Sequence, residues 1–416
     1  MKRLKLDNSR INFIAFLWHA LFLALASNFM DINTIIPTML FKAGGNTVQL
    51  GFLTAIMIGG ASLMQVFFAG FLAHKEKKKP YLLIGIYLRV SALLGLGFLL
   101  SGAGHMTSFF VIASIFTLIT IFSFSGSFAG ISYTDILGKS INKDSRKKFF
   151  ILKQTISSTA VFASALLVRY LLRQYSYPKN YSILFIGAGT FLLTATLGFW
   201  MIREKPTDLK NTFDNFKSIF KLYVDLIKKD RNVRYYILLI NSAGLGLTLV
   251  PFYIALAKHN LGLTSKSVGN FLLLQIIGMI VSNLLWHFLL KKGSYKFVVK
   301  TYAIIGSVLP ILALALSNNF SLYPFIFLLS GFNISAYQVS LPGILLEISR
   351  EHNRVLYVAI SGAGSVSTIL FPLIGGFLIR WFGYPIVFGI SIAVIFTSFF
   401  IVNKINCKYN PEELLE

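Results

Sequence analysis

Apolar runs of about 20 residues recur along almost the whole chain, and they constrain its fold more than any other feature. A run of this length crosses a bilayer as an α-helix, because a helix satisfies its backbone hydrogen bonds internally. Of the 416 residues, 55% are hydrophobic and 13% are charged, which is too little charge for a soluble protein. We therefore predict an all-α membrane protein with about twelve transmembrane helices. The predicted spans are 12–40, 47–72, 81–102, 108–136, 149–172, 181–202, 233–258, 266–290, 297–316, 320–348, 354–380 and 383–403.

The connections between these runs alternate in charge. The strongly basic set is the N-terminus, His74–Lys79, Lys139–Lys148, Arg203–Arg234, Lys291–Lys300 and Arg350–Arg354. The nearly neutral set is Phe41–Asn46, Gly102–Met106, Ser317–Phe320 and Trp381–Gly383, and two further connections are mildly basic exceptions. Basic connections stay in the cytoplasm. We predict a multi-pass protein of the cell (inner) membrane with both termini in the cytoplasm.

The formal net charge of +24 would suggest nucleic-acid binding on a soluble protein. Here the basic residues lie in short gaps between apolar runs, so they form no continuous basic face, and the expected partner is the lipid bilayer. Cys407 is the single cysteine, and the six histidines form no HExxH motif. The sequence also lacks a GxxxxGK[ST] phosphate loop. We predict no metal site, no cofactor, no nucleic-acid partner and no enzymatic activity.

Landmarks of the first half recur in the same order in the second half. Val48–Gly51 followed by Gly59 resembles Lys266–Gly269 followed by Gly278, at close to half the chain length. Internal repeats are typical of secondary transporters. We predict an N-terminal six-helix bundle (1–202), a cytoplasmic amphipathic linker (203–232) and a C-terminal six-helix bundle with a short tail (233–416). The apolar face of the linker contains Phe213, Phe216, Phe220, Tyr223 and Ile227, and we expect it to rest on the membrane surface.

Six spans, a cytoplasmic central segment and six further spans resemble the major facilitator superfamily over essentially the whole chain. That family carries Gly-x-Leu-x-Asp-Arg/Lys-x-Gly-Arg/Lys-Arg/Lys after its second span. This chain has Gly70-Phe71-Leu72-Ala73-His74-Lys75-Glu76-Lys77-Lys78-Lys79 there, with His74 in place of the acid and Lys77 in place of the second glycine. The resemblance implies that the acid helps to latch the cytoplasmic ends of the halves. Glu76 or a neutral His74 would have to take the place of this acid in the latch. The alternative is that the lysines of this loop only set the orientation of the protein in the membrane.

Asp31 is the most informative ionisable residue, because it lies well inside the first span. Burying a charge at mid-bilayer costs roughly 2.5–3.5 kcal/mol on insertion scales, so such a residue survives against a partner or a wet cavity. Asn28 and Thr34 lie on the same helical face, and the resemblance places this helix against the central cavity. We hypothesise that Asp31 binds the coupling proton or a cationic group. The alternative is a structural acid that is hydrogen-bonded within its own half.

The remaining polar residues inside the spans form two groups. Candidate gating or structural charges are Lys75, Lys78, Arg89, Asp135, Arg146 and Glu347; we expect Arg89 to pair with Asp135, and Glu347 to pair at the cytoplasmic surface. Candidate solute contacts are Asn28, Thr34, Gln65, Asn241, Gln275, Asn333 and Tyr337, for which hydrogen bonding between helices is the alternative. Gly126-x-x-x-Gly130 predicts close helix packing. Because these candidates are mostly neutral, they disfavour a multiply charged anion as substrate.

The sequence thus predicts a secondary active transporter that moves a small solute by alternating access, coupled to protons, and acting as a monomer. One alternative is an efflux pump for amphipathic drugs, although the fifth span (Thr155–Ala163) lacks the glycine and proline residues typical of such antiporters. Alternatives of another class are a polytopic membrane enzyme and a non-transporting receptor.

Overall fold

The computed structural model describes residues 8–60, 75–141, 143–206, 226–290, 293–349 and 364–406, and a few residues between these ranges (62, 64, 67–68, 71–72, 357 and 361–362). Within these ranges the regular structure is helical throughout. Among the described residues, ten helices are long and apolar enough to cross a membrane. Two shorter apolar helices, Thr47–Gly60 and Ser367–Phe382, lie where the second and eleventh spans are predicted. The prediction of an all-α membrane protein with about twelve spans is confirmed.

We number the helices in chain order. They are α1 (Asn8–Ser27), α2 (Ile35–Lys42), α3 (Thr47–Thr54), α4 (Lys79–Ser101), α5 (Ser108–Ser140), α6 (Lys143–Gln174), α7 (Lys179–Met201), α8 (Arg231–Leu261), α9 (Ser265–Leu290), α10 (Tyr295–Ala315), α11 (Pro324–Ile348), α12 (Ser367–Phe382) and α13 (Tyr384–Ile401). A π-helical segment, Ala55–Gly60, continues α3.

The described residues divide into two compact units. Unit 1 takes in those of Met1–Asn46, Phe67–Phe213 and Thr264–Leu273, and unit 2 those of Thr47–Val66, Asp214–Leu263 and Leu274–Glu416. Unit 1 thus includes the first residues of α9, and unit 2 includes α3. The predicted domain boundaries at residues 202 and 233 stay a prediction, and most of the predicted linker, residues 207–225, lies outside the described residues.

In unit 1, α4 packs against α5 and α7, and α1 packs against α6 and α7. Gly97 is one reason for the close approach of α4 and α7, since a β-carbon there would lie 2.8 Å from the backbone nitrogen of Ile186. Ser182 strengthens this contact by donating a 2.7 Å hydrogen bond to the Gly97 carbonyl. Buried aromatic side chains, among them Phe16 and Phe199, fill the space between α1 and α7.

In unit 2, α10 packs against α11 and α13, and α8 packs against α13. The core contains the buried side chains of Tyr236, Trp286 and Tyr302, and the Tyr302 hydroxyl donates to the Ala243 carbonyl. Asp230 begins α8 as an N-cap, since its carboxylate accepts hydrogen bonds from the first backbone N–H groups of the helix. Bonds of this kind satisfy polar groups that water cannot reach in a membrane-embedded core.

A candidate solute cavity in unit 1

A cavity of about 380 Å³ lies inside unit 1, and we call it the unit 1 cavity. Its wall consists of side chains from α1, α4, α5 and α6, together with Leu192 of α7. Most of the wall is apolar. The polar lining residues are His19, Ser27, Arg89, Tyr133, Lys153 and Ser157. The cavity therefore brings together basic and hydroxyl-bearing side chains from four different helices.

Arg89 reaches the cavity from the middle of α4. Its guanidinium carbon lies 4.3 Å from the centroid of the Phe122 ring, a cation–π contact. On α5, a β-carbon at Gly126 would lie 3.3 Å from the Arg89 Nε, so the glycine leaves room for the guanidinium. A β-carbon at Gly130 would meet no atom within 4 Å, which does not fit the predicted close packing there. The buried Arg89 Nε has no hydrogen-bond partner among the described residues.

Lys153, Tyr133 and His19 form the other polar side of the cavity. The Lys153 Nζ donates a 3.3 Å hydrogen bond to the Tyr133 hydroxyl. The ring of the buried His19 lies 5.4 Å from the Tyr133 ring and 4.2 Å from the Phe199 ring, measured between centroids. The His19 Nδ1 is buried and unpartnered within the described part of the chain. The sequence did not predict this group, because spacing along one helix cannot reveal which helices meet.

The predicted pair between Arg89 and Asp135 is absent. Instead, Asp135 forms ion pairs with Lys78, at 3.0 Å, and with Lys139. Lys139 is four residues further along α5, the spacing at which side chains meet on one helical face. Asp135 lies near the end of α5, close to the start of α4 where Lys78 lies. Arg89 is about 15 Å further along α4, at 1.5 Å per residue, and is therefore farther from Asp135 than Lys78 is. Arg89 is consequently left without a carboxylate among the described residues.

Glu204, which the sequence analysis did not single out, holds the start of α4. Its two carboxylate oxygens accept hydrogen bonds from the backbone N–H groups of Lys78 and Lys79, at 2.7 and 2.8 Å. The Lys79 Nζ in turn donates to the carbonyls of Trp200 and Ile202 at the end of α7. A carboxylate at a helix N-terminus is favourable because it satisfies free N–H groups and opposes the helix dipole. We call Lys78, Lys79, Asp135 and Glu204 the basic-loop clamp.

Replacing Glu204 by Gln should lower the stability of the protein by about 1–3 kcal/mol, because the single amide oxygen keeps one of the two hydrogen bonds, now without charge, and the other backbone N–H loses its acceptor. Thermal unfolding of the purified protein in detergent measures the effect. Glu76→Gln is the matched control, since Glu76 is an exposed acid in the loop before α4, whose last residues Glu204 contacts. Equal unfolding temperatures for the two variants would show that the clamp adds no stability.

The other predicted gating charges are placed only in part. The Lys75 Nζ lies 5.0 Å from the Phe71 ring centroid, outside the cavity lining. Glu347 is partly buried near the end of α11, and its predicted partners Arg350 and Arg354 lie outside the described residues. The same holds for His74 and for the side chain of Arg146, although α6 contains Arg146. Their roles stay predictions.

Asp31 lies in a break of the first span, between a short 3-10 turn (Asn28–Met30) and α2. Its Oδ1 accepts hydrogen bonds from the backbone N–H of Asn33, at 3.0 Å, and from the backbone N–H and hydroxyl of Thr34, at 2.7 and 2.8 Å. These contacts are those of a structural acid that caps α2. Asp31 does not line the unit 1 cavity. Its proton-coupling role is untested by this geometry and stays a prediction.

Several predicted solute contacts join helices instead of lining the unit 1 cavity. The Asn28 amide donates to the Val161 carbonyl, at 2.6 Å, and to the Ser164 hydroxyl, at 2.8 Å. The Asn241 amide donates to the Gly364 carbonyl at 2.6 Å. These bonds match the alternative of hydrogen bonding between helices.

The other candidates lie in unit 2 or outside the described residues. Gln275 and Asn333 are buried in unit 2, and the Tyr337 ring lies 5.7 Å from the Tyr302 ring. Gln65 is outside the described residues. Whether any of these residues contacts a solute stays a prediction.

Two contacts join residues of the predicted halves within a single unit. In unit 1, the Asn270 side-chain oxygen accepts hydrogen bonds from Arg169 Nε (2.9 Å) and Arg173 Nη2 (3.1 Å); we call this the α6–α9 contact. In unit 2, α3 lies against α12, where a β-carbon at Gly51 would lie 2.2 Å from the Pro372 carbonyl oxygen; this is the α3–α12 contact. Both contacts lie near helix ends that join neutral or mildly basic connections.

Residues 236–405 match the sequence model of the Major Facilitator Superfamily. No curated protein matches the chain. Among solved structures, the nucleoside transporter NupG is similar with a TM-score of 0.68 at 11% identity, covering 95% of this chain and 99% of that one. A D-xylose-proton symporter is similar with a TM-score of 0.68 at 13% identity, covering 96% and 99%. A bacterial homologue of the iron transporter ferroportin, in an inward-facing state, has a TM-score of 0.67 at 13% identity, covering 94% and 98%.

Proposed function

We propose that this chain is a member of the Major Facilitator Superfamily and a secondary transporter that moves a small solute by alternating access, because residues 236–405 match the sequence model of that superfamily and the fold is shared with transporters along the chain. The observation that carries the proposal is the shared fold, which covers 94–96% of this chain in three transporter structures. The superfamily and the fold are those of transporters, not of enzymes. The family-model match and the shared fold support the resemblance that the span pattern suggested.

Alternating access requires contacts between the halves that can break and reform. The α6–α9 contact suits this purpose, since its two hydrogen bonds share a single amide oxygen. The α3–α12 contact suits it as well, because Gly51 lets the backbones of the two helices approach closely at this point without an intervening side chain. We propose that each contact is part of a gate that is closed in this conformation. The basic ends of the helices, including the basic-loop clamp, would then face the cytoplasm.

Reconstitution into liposomes tests the transport proposal directly. Purified protein under an imposed pH gradient should accumulate at least one solute from a panel of inorganic phosphate, butyrate, xylose and ethidium. Protein-free liposomes and liposomes without a pH gradient serve as controls. Accumulation of ethidium alone would favour the drug-efflux alternative. Folded protein that moves no member of the panel and no member of a broader metabolite set would favour a receptor or an enzyme.

We further propose that Asp31 carries the coupling proton, on the grounds that it is an acid within an apolar span. Asp31→Asn should reduce accumulation driven by a pH gradient at least tenfold, while exchange of solute between equal concentrations continues. The variant suits the question because Asn also caps helices, so the hydrogen bonds that Asp31 accepts from Thr34 can persist. Undiminished proton-driven accumulation by the variant would contradict the coupling role and leave Asp31 with its cap alone.

A further inference from the structure

Building on the proposed transport function, we propose that the unit 1 cavity binds the anionic group of the solute, a carboxylate or a phosphate, between Arg89 and Lys153. Both side chains line the cavity, from α4 and α6. No acidic residue is among those that line it. The site differs from the neutral one that the sequence predicted, because the residues that form it come from separate helices.

The cavity holds two cations whose charges no carboxylate balances among the described residues. Asp135, the expected partner of Arg89, forms ion pairs with Lys78 and Lys139 instead. Lys153 has the neutral hydroxyl of Tyr133 as its hydrogen-bond partner. Fixed charges in a low-dielectric interior persist where they meet an opposite charge or a wet cavity. The unit 1 cavity supplies the space, and an anionic group would supply the missing charge.

The polar atoms around the cavity are suited to donate hydrogen bonds. The guanidinium of Arg89 is a planar fork that matches a carboxylate or a phosphate. Its position is restricted before binding, by the ring of Phe122 on one side and by Gly126 on the other. The unpartnered Nδ1 of His19 and the hydroxyl of Tyr133 add two more groups that can donate. A cationic drug would be repelled by Arg89 and Lys153, so the site also separates this proposal from drug efflux.

The rest of the wall indicates what kind of anion fits. Leu23, Ile86, Val161 and Leu192 face the cavity beside the charged pair. The volume of about 380 Å³ is at the small end of ligand pockets, which span roughly 300–1,000 Å³. A small organic anion with a short hydrocarbon body therefore suits the cavity better than a large polar solute.

Thermal unfolding of the purified full-length protein in detergent tests the site without requiring transport. Sodium butyrate and sodium phosphate are compared with sodium chloride at equal ionic strength, and with 1-butanol as the uncharged analogue. A ligand that binds only the folded protein raises the unfolding temperature in proportion to the logarithm of its concentration. We expect butyrate, phosphate or both to raise it beyond chloride. A shift with butyrate alone identifies a carboxylate, and a shift with phosphate alone identifies a phosphate.

The shift should disappear in Arg89→Gln and in Lys153→Gln, and persist in Lys148→Gln, which changes an exposed lysine on the same helix. Gly130→Leu should abolish it by filling the cavity. Gly138→Leu is the matched control and should leave the shift unchanged. A β-carbon meets no atom within 4 Å at either glycine, but only Gly130 lines the cavity. The inference is overturned if neither anion exceeds chloride, or if the shift survives in a folded Arg89→Gln or Gly130→Leu protein. An Arg89-dependent shift without flux in liposomes would support this binding site and contradict the transport proposal. Flux without an Arg89-dependent shift would support transport and contradict this binding site.

Discussion

Oxidising a protein that carries both Arg169→Cys and Gly269→Cys should reduce transport to the level of protein-free liposomes. A β-carbon at Gly269 would lie 3.4 Å from the β-carbon of Arg169 across the α6–α9 contact. Disulfides have Cβ–Cβ separations of about 3.5–4.5 Å, so the two cysteines can bond with little movement of the backbone. If the contact must open in every transport cycle, a covalent bond across it holds the protein in one state. The measurement is solute uptake before and after oxidation.

The native cysteine, Cys407, is replaced by Ser in this background, so that the engineered pair supplies the only thiols. A reductant should restore uptake to the rate of the unoxidised double variant. Each single cysteine variant should be insensitive to oxidation, which controls for damage to other side chains. Full uptake by protein that is demonstrably cross-linked would show that the α6–α9 contact does not open during transport, and the proposed gate would then be wrong.

The sequence predicted the number and placement of the helices well, because run length and hydropathy report directly on what a bilayer accepts. It did not predict the break in the first span, where a 3-10 turn and Asp31 separate α1 from α2. Average hydropathy is insensitive to a single turn of capping residues. The local signal was present, however, in the cluster Asn28, Asp31, Asn33 and Thr34, all residue types that favour caps and turns.

The cavity illustrates what one sequence cannot supply. Arg89 attracted attention as a charge inside a span, but its surroundings depend on which helices pack together. His19, Tyr133 and Lys153 lie on three other helices, and each is unremarkable in its own span. The incorrect pairing of Arg89 with Asp135 has a simpler cause. Lys139, at the favourable four-residue spacing from Asp135, was visible in the sequence and would have been the better choice.

Glu204 is a different kind of omission. It lies directly after the sixth span, in a connection whose basic residues outnumber its acids, and that setting gave it no distinct role. Its contacts with the backbone of Lys78 and Lys79 join segments more than a hundred residues apart in the chain. A single acid beside a helix end is a weak signal until the fold shows which N–H groups it meets.

Gly51→Val should weaken the α3–α12 contact strongly. The added β-carbon would lie 2.2 Å from the Pro372 carbonyl oxygen, a distance that no rotamer change can relieve because the opposing atom is backbone. The two helices must therefore separate, and overpacking of this kind costs about 1–3 kcal/mol or more. Since each 1.4 kcal/mol changes an equilibrium constant tenfold, closure of this gate should become at least fivefold less favourable.

Labelling of a Val48→Cys side chain by a membrane-impermeant maleimide, in the Cys407→Ser background, measures that closure. Val48 is 9% exposed, and its Cα would lie 3.1 Å from a β-carbon at Gly376, so it reports on the same contact. The labelling rate should rise at least fivefold in Gly51→Val, with uptake falling in parallel, because the closed state is depopulated. Gly389→Val is the matched control in unit 2, since a β-carbon there meets no atom within 4 Å. Equal labelling rates in the two variants would mean that α3 and α12 tolerate the extra side chain while closed, and the α3–α12 contact would then have no part in gating.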